Sequence, residues 1–160
     1  MNTGSAEERL KKSEERYRLL AEHANDVVWT MSAEGDITYV SPSVEAIRGL
    51  TPEEAMNQPI DQIHPPESLA VVADYFDRLH KTLAEGGMPE EMHGELEYFC
   101  KDGSTVWTEI QVIPHFGDAG ELTEIIGVSR DISGRKQQEL DLEQAHRETE
   151  AANAALKEAN

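Results

Sequence analysis

The stretch GVSRDISGRKQQE, residues 127 to 139, changes character halfway along. Its start, with Ile125 to Val128, is apolar at strand spacing. Its end is a charged, Gln-rich run, and residues 134–160 contain no Pro and one Gly, at their start, which favours a helix. No loop separates the two halves. An acid, Asp131, and a hydroxyl, Ser133, stand at the joint, so a core strand passes almost directly into a helix.

Upstream of this strand the pattern is β. Met92 to Lys101 alternates, with Leu96, Tyr98 and Cys100 on one face and His93, Glu95, Glu97 and Phe99 on the other. Asp-Gly in KDGS (101–104) is a strong hairpin signal, and Val106 to Val112 is its return strand. GDAGE (117–121) turns into the strand Leu122 to Ile132. Further upstream, Leu69, Val72, Phe76, Leu79 and Leu83 recur at steps of three and four, giving a long helix from Pro65-Pro66 to Gly86-Gly87. Ser41-Pro42 and Thr51-Pro-Glu-Glu54 each start a short helix, and Gly49 and Pro59 limit their lengths. Before them, Val27 to Met31 and Ile37 to Val40 form a hairpin around SAEGD (32–36). Ser5-Ala-Glu-Glu8 is a capping box opening an amphipathic helix to about His23. The expected fold is α+β: one five-stranded antiparallel sheet with short helices and one longer helix on one face. It divides into an N-terminal amphipathic helix (1–24), a central domain (25–133) and a C-terminal coiled-coil-type helix (134–160).

Charge narrows the function. Of 160 residues, 32 are acidic and 14 are Lys or Arg, a net of −18. The centre, residues 25–133, carries 21 acids against 5 bases. Such a body disfavours nucleic acid, whose binding needs cations to release phosphate counterions. It equally disfavours an anionic membrane surface. No apolar run is long enough to span a bilayer, and the N-terminus lacks a signal-peptide core. The single cysteine, Cys100, excludes an internal disulfide framework and suits a reducing cytoplasm, with membrane anchoring left to the parent chain. No Ser or Cys sits in a nucleophile elbow, and no paired acid and base stand out. His93, Glu95 and Glu97 share one strand face, the alternation any solvated face has, and no metal is assigned to them.

The order of elements and the segments RYRLLAEHANDVVW (16–29), GDITYVSPS (35–43), KDGSTVW (101–107) and GVSRDISGRK (127–136) resemble a PAS domain with its C-terminal PAC part. The resemblance covers about residues 14–136. It implies a sensor and dimerisation module, not an enzyme, whose Asp131-Ile132-Ser133 closes the last strand and starts the helix to an output domain. Haem-binding members place a His about three turns before the end of the long helix. Tyr75 and Phe76 occupy that zone here, and His80 lies nearer the end. Light-oxygen-voltage members need a reactive Cys in a central Asn-Cys-Arg, and MNQPIDQIHPPE (56–67) has none. Haem and flavin are both disfavoured, and no cofactor is assigned. Two departures from the family stand out: Pro66 within His64-Pro65-Pro66-Glu67, and Gly134 where a helix former is usual.

The helical stripe must pack on the inner face of the sheet. The candidate pocket for a small molecule is therefore Trp29, Tyr39, Leu69, Val72, Phe76, Leu79, Leu96, Tyr98, Thr108 and Ile110. The same residues would equally suit a packed core. At the joint, Ser133 is the expected N-cap, and Asp131 is expected to accept helix N–H groups and to pair with Arg135 or Lys136. Arg130 is expected to pair with an acid of a neighbouring strand.

A homodimer is the expected assembly. Phe99, Trp107 and Ile113 fall on the opposite sheet face and call for a cover. The N-terminal helix, through Leu10, Tyr17 and Leu20, supplies one from its own chain or a neighbour's. Leu142, Ala145, Thr149, Ala152, Leu156 and Ala159 follow 3-4-3-4-3 spacing, a weak heptad seam. The expected role is signal transmission through this helix to a diguanylate cyclase or histidine kinase beyond residue 160. The alternative is a ligand-free dimerisation spacer.

Overall fold

Gly35, Gly103 and Gly120, each at positive φ, close the three hairpin turns of a five-stranded sheet. The computed structural model describes residues 5–10, 13–14 and 25–159. Residues 5–10 and 13–14 are helical, and Leu10 there is 62% exposed. Tyr17 and Leu20 lie outside the described residues.

The domain proper begins with β1 (Val27–Ser32) and β2 (Ile37–Val40). Two one-turn helices follow, α1 (Val44–Arg48) and α2 (Pro52–Met56), then a 3₁₀ turn at Ile60–Gln62 and the long helix α3 (Pro66–Ala84). Strands β3 (Met92–Phe99), β4 (Thr105–Phe116) and β5 (Leu122–Asp131) complete the sheet, and α4 (Ser133–Ala159) leaves it. The strand order is β2-β1-β5-β4-β3, antiparallel throughout. The last strand in sequence thus lies at the centre of the sheet, between β1 and β4. This is the α+β architecture that the order of elements predicts.

Local chemistry accounts for most boundaries. Thr51 caps α2, its hydroxyl accepting from the Glu54 amide at 3.2 Å, with Pro52 at the first helical position. Asp102 folds the β3–β4 turn by accepting from the Ser104 amide at 2.9 Å. Gly86, at φ +75°, stops α3. Ser41 departs from its expected capping role: its hydroxyl instead accepts from the Val28 amide at 2.9 Å, and α1 starts at Val44. Ser43 donates to the Asp26 carbonyl at 2.6 Å. The two serines tie the start of β1 to the entry of α1 and leave no hydroxyl for helix capping.

The inner face of the sheet is apolar. Leu96, Tyr98, Val106, Ile110, Val112 and Ile125 pack with Tyr75 and Leu79 of α3. A second cluster joins Val27 and Val40 to Val44, Leu50 and Ala55 of the short helices. Each buried side chain of this kind contributes about 1.5–3 kcal/mol relative to exposure. On α3 the fully buried line is Ser68, Tyr75 and Leu79, with Val72, Phe76 and Leu83 only half-buried. The stripe read from sequence was therefore rotated slightly, because Tyr75 enters the core and Leu69 stays at its margin.

Candidate functional site

Between α1, α2, α3 and the inner face of β1, β3 and β5 lies a cavity of about 100 Å³. A cavity of about 150 Å³ holds benzene, with its six non-hydrogen atoms, so the enclosed part of this space takes about four. Flavin or haem would fit only if wall residues moved. The wall is mostly aliphatic, with Trp29, Phe76 and Tyr98 as its aromatic part and Ser129, Thr108, His64 and Arg48 as its polar part. Ile60, 56% exposed, stands at its rim.

The polar groups form an ordered set. Ser129, on β5, accepts from the Trp29 indole N–H at 3.3 Å and shares a hydrogen bond of 3.2 Å with the Tyr98 hydroxyl. One serine thus links β1, β3 and β5 at the cavity wall. Thr108 donates to the Leu96 carbonyl at 3.1 Å. Burial pushes the Tyr98 hydroxyl pKa up, so it stays protonated.

The remaining polar groups cover the edge strand β3. An edge strand presents unpaired backbone groups that must be satisfied when buried. The Glu97 amide donates to Ser68 Oγ at 2.9 Å, and the Glu97 carbonyl lies 2.8 Å from His64 Nδ1. Because a carbonyl only accepts, Nδ1 carries the proton. The Phe99 amide donates to the Ile63 carbonyl at 2.9 Å, and the Phe99 carbonyl accepts from Arg48 Nε at 2.8 Å. His64 packs on the Tyr98 ring at 4.3 Å between centroids, and the Arg48 guanidinium lies 5.2 Å from the same ring. Burial lowers the His64 pKa, the Glu97 hydrogen bond opposes this, and nearby Arg48 adds to the lowering. The imidazole is held neutral.

Of the ten residues expected to form a pocket, Trp29, Val72, Phe76, Tyr98 and Thr108 line the cavity. Leu79, Leu96 and Ile110 are buried in the adjoining core instead. Leu69 is half-buried and off the wall, and Tyr39 is 37% exposed. The correction at Tyr39 has a clear cause. The β1–β2 register shifts between Thr30 and Met31, pairing Trp29 with Val40 and Met31 with Ile37. That bulge brings Ile37 and Val40 both to the cavity and sets Tyr39 opposite Thr30, on the other row. Strict alternation could not foresee it. Ser129, His64 and Arg48 were missed as well. Ser129 was detectable by counting inward from Ile125 in steps of two. Arg48 was visible as a lone base between Ile47 and Leu50.

At the joint, Asp131 Oδ1 accepts from the Ser133 amide at 2.8 Å, and the Ile132 amide donates to the Trp107 carbonyl at 3.0 Å. The Ile132 carbonyl then accepts from the Lys136 amide at 2.9 Å, so Ser133 is the first helical residue and not the N-cap. Arg135 and Lys136 turn to Glu95 on β3 instead of Asp131: Arg135 Nη2 is 2.7 Å from its carboxylate, and Lys136 Nζ is paired with it too. Lys136 holds the Glu95 carboxyl below its usual range and is itself raised by the pairing. Its ammonium also lies 4.8 Å from the Trp107 ring centre. Phe99, Trp107 and Ile113 are half-buried on this face. Arg130 pairs with Asp26, just ahead of β1, at 3.2 Å.

Beyond this anchor α4 runs on for a total of 27 residues, about 40 Å, with none buried. Leu142 and Leu156 are 71% and 64% exposed, and Ala145, Thr149 and Ala152 are exposed with them. Arg147–Glu143 decorates the helix and contributes a few tenths of a kcal/mol, and His146 Nε2 lies 3.2 Å from Glu150.

His80 and His93 stay clear of the cavity: His80 Nδ1 bonds the Phe76 carbonyl at 2.8 Å, and His93 lies 3.5 Å from Glu91. No helix among the described residues is long and apolar enough to cross a membrane.

Comparison with known proteins places this geometry. The chain is 27% identical over 139 residues to the sensor histidine kinase TmoS of Ectopseudomonas mendocina, covering 87% of this chain and 14% of that one. It is 26% identical to sporulation kinase C of Bacillus subtilis, over 84% of this chain and 31% of the kinase. It is 30% identical to a methyl sulfide methyltransferase-associated sensor of Methanosarcina acetivorans, over 84% and 13% respectively. The chain therefore spans less than a third of the length of these relatives. Among solved structures, a sensory box histidine kinase/response regulator from Burkholderia thailandensis superposes with a TM-score of 0.64 at 20% identity, covering 85% of this chain and 98% of that one. A PAS domain from Colwellia psychrerythraea gives 0.59 at 21% identity, covering 76% and 97%. The PAS fold model matches residues 15–132, and the chain belongs to the PAS family, as a regulatory sensor domain.

Proposed function

We propose that residues 25–133 are the sensing module of a larger signalling protein, that the cavity takes a small ligand, and that residues 134–160 carry the response to an output domain. One observation supports this most. Ser129, hydrogen-bonded to Trp29 and Tyr98 in the cavity wall, and Asp131, which holds the first amide of α4, are two residues apart on one strand. That is roughly 7 Å. A ligand that displaced Trp29 or Tyr98 would pull on the residue pair that sets the start of the helix. A shift requires only that the ligand favour one of two arrangements over the other.

The output we assign is a histidine kinase. The curated relatives that are kinases favour it over a diguanylate cyclase. The working unit is a homodimer paired along Leu142, Ala145, Thr149, Ala152 and Leu156. A seam of three small or polar residues and two Leu buries little area, so its free energy is small. A device that switches needs states separated by only a few kcal/mol, and a weak seam suits it.

Two experiments test this. In the full-length parent, Asp131→Ala is expected to uncouple output from input while the isolated domain stays folded; unchanged signal-dependent output would sink the role given to the joint. Sedimentation equilibrium of residues 1–160 and 1–134 at tens of micromolar is expected to give a dimer for the first and a weaker one or a monomer for the second. Monomers in both would rule out the seam. A ligand-free spacer is the competing reading, favoured by the small, largely aliphatic cavity. Mass spectrometry of the denatured protein separates the two, since a released small molecule supports sensing.

A further inference from the structure

We propose that the cavity selects a small monocarboxylate, with Arg48 as the residue that reads its charge. This rests on the ligand-sensing reading above and adds the chemical class of the ligand. The observation behind it is a buried cation without a counter-ion. Arg48 is 7% exposed, yet among the described residues no carboxylate pairs with it. Lys101, Arg130, Arg135 and Lys136 are all more exposed, and each has an acid. The chain has 32 acidic residues, yet among the described residues none lines the cavity wall, and Arg48 is the one there with a permanent charge.

The known contacts leave capacity to spare. Nε donates to the Phe99 carbonyl at 2.8 Å and Nη2 to Gln58 Oε1 at 2.7 Å. A guanidinium has five N–H groups, so three remain after these two bonds. The Tyr98 ring offsets part of the cost of burying the charge, but a ring face is a weak substitute for an anion. If Arg48 served only to satisfy the Phe99 carbonyl, a neutral donor would do so without burying a charge.

The shape of the site sets the rest of the ligand. The planar guanidinium fork matches a carboxylate through two parallel hydrogen bonds. Around it the wall is aliphatic and aromatic, which suits a short hydrocarbon tail and leaves no anchor for a second charge. About four non-hydrogen atoms fit the enclosed volume, and the open mouth beside Ile60 leaves room for one or two more. Butyrate has this composition, as an unbranched acid of four carbons.

The test uses residues 1–160 with three probes of one shape: butyrate, butan-1-ol and butylamine. Binding is read by calorimetry and by the NMR signal of the Trp29 indole N–H, at constant ionic strength. The expected result is that butyrate binds about 10- to 100-fold more tightly than butan-1-ol and that butylamine does not bind. Arg48→Gln, which keeps a donor for the Phe99 carbonyl, should remove that preference and leave the alcohol unchanged. If this variant fails to fold, Val72→Phe, which fills the cavity, should abolish butyrate binding instead. Equal binding of acid and alcohol would overturn the inference and leave the cavity standing as a ligand site. No binding by any probe would overturn the inference, and the sensing reading would then rest on whether mass spectrometry finds a released small molecule. Butyrate binding that survives Val72→Phe would place the anion elsewhere and overturn the assignment.

Discussion

Trp29 and Gly127 are cross-strand partners, and the indole fills the space where a Gly127 side chain would be. A Cβ added at Gly127 would lie 2.0 Å from Trp29 Cε2 and 2.1 Å from Cζ2. The glycine is required by close approach and not by backbone angle. It lets the indole lie over the sheet and reach Ser129, two residues along the same strand.

Gly127→Ala is therefore expected to expel the indole and break its bond to Ser129. Overpacking of this kind costs about 1–3 kcal/mol. Gly94→Ala is the control, because nothing lies within 4 Å of a Cβ there. A urea series should separate the two variants clearly, with a change in Trp29 emission for the first only. Equal midpoints would contradict the packing described.

His64 gives stability a pH dependence with a definite sign. Its folded pKa is lowered by burial, so the native state holds the neutral ring while the unfolded chain takes up a proton near the ordinary value of about 6.5. The contribution is fully present above about pH 6.5 and is lost as pH falls from there through the lower folded value. In His64→Gln, which keeps a donor for the Glu97 carbonyl, the urea midpoint should fall less between pH 7.5 and 5.5 than in the parent. An identical fall in both proteins would exclude His64 as the source.

Glu95 anchors the first turn of α4 by holding both Arg135 and Lys136. In Glu95→Gln the amides of residues 136–140 should exchange faster with solvent, while those of β4 and β5 stay protected. Raising the salt should produce part of the same effect in the unmodified protein, because these groups are exposed. Unchanged exchange at the helix start would show that the anchor lies elsewhere.

Asp131 and Gly134 act on the same turn in opposite senses. Asp131→Ala removes the acceptor of the Ser133 amide and should cost about 1 kcal/mol, whereas Asp131→Asn retains an acceptor and should cost less. Gly134→Ala meets no atom within 4 Å and should stabilise the helix start by up to about 1 kcal/mol. Thermal unfolding of the three variants checks the order. A loss of stability in Gly134→Ala would mean that the joint uses the freedom of that glycine.

Much of this protein was legible in its residues. Periodicity located β2 at Ile37–Val40 and a long helix between Pro65-Pro66 and Gly86-Gly87, which the structure has at Pro66–Ala84, because turn residues and three-four spacing act over a few neighbours. Five of the expected positions line the cavity, Trp29, Tyr98 and Thr108 at inward places on strands and Val72 and Phe76 at three-four spacing on the long helix. What failed was non-local. The bulge that turns Tyr39 outward comes from how β2 registers on β1, and the pairing of Arg135 and Lys136 with Glu95 joins residues about forty positions apart. The order β2-β1-β5-β4-β3 was likewise set by the assembled sheet. Sequence alone determined that GVSRDISGRKQQE runs a strand into a helix, since both propensities are local. Only tertiary structure decided that the strand is central, that its Gly127 and Ser129 receive Trp29, and that Arg48 is buried at the cavity with no acid beside it among the described residues, because those contacts depend on which distant surfaces the fold brings together.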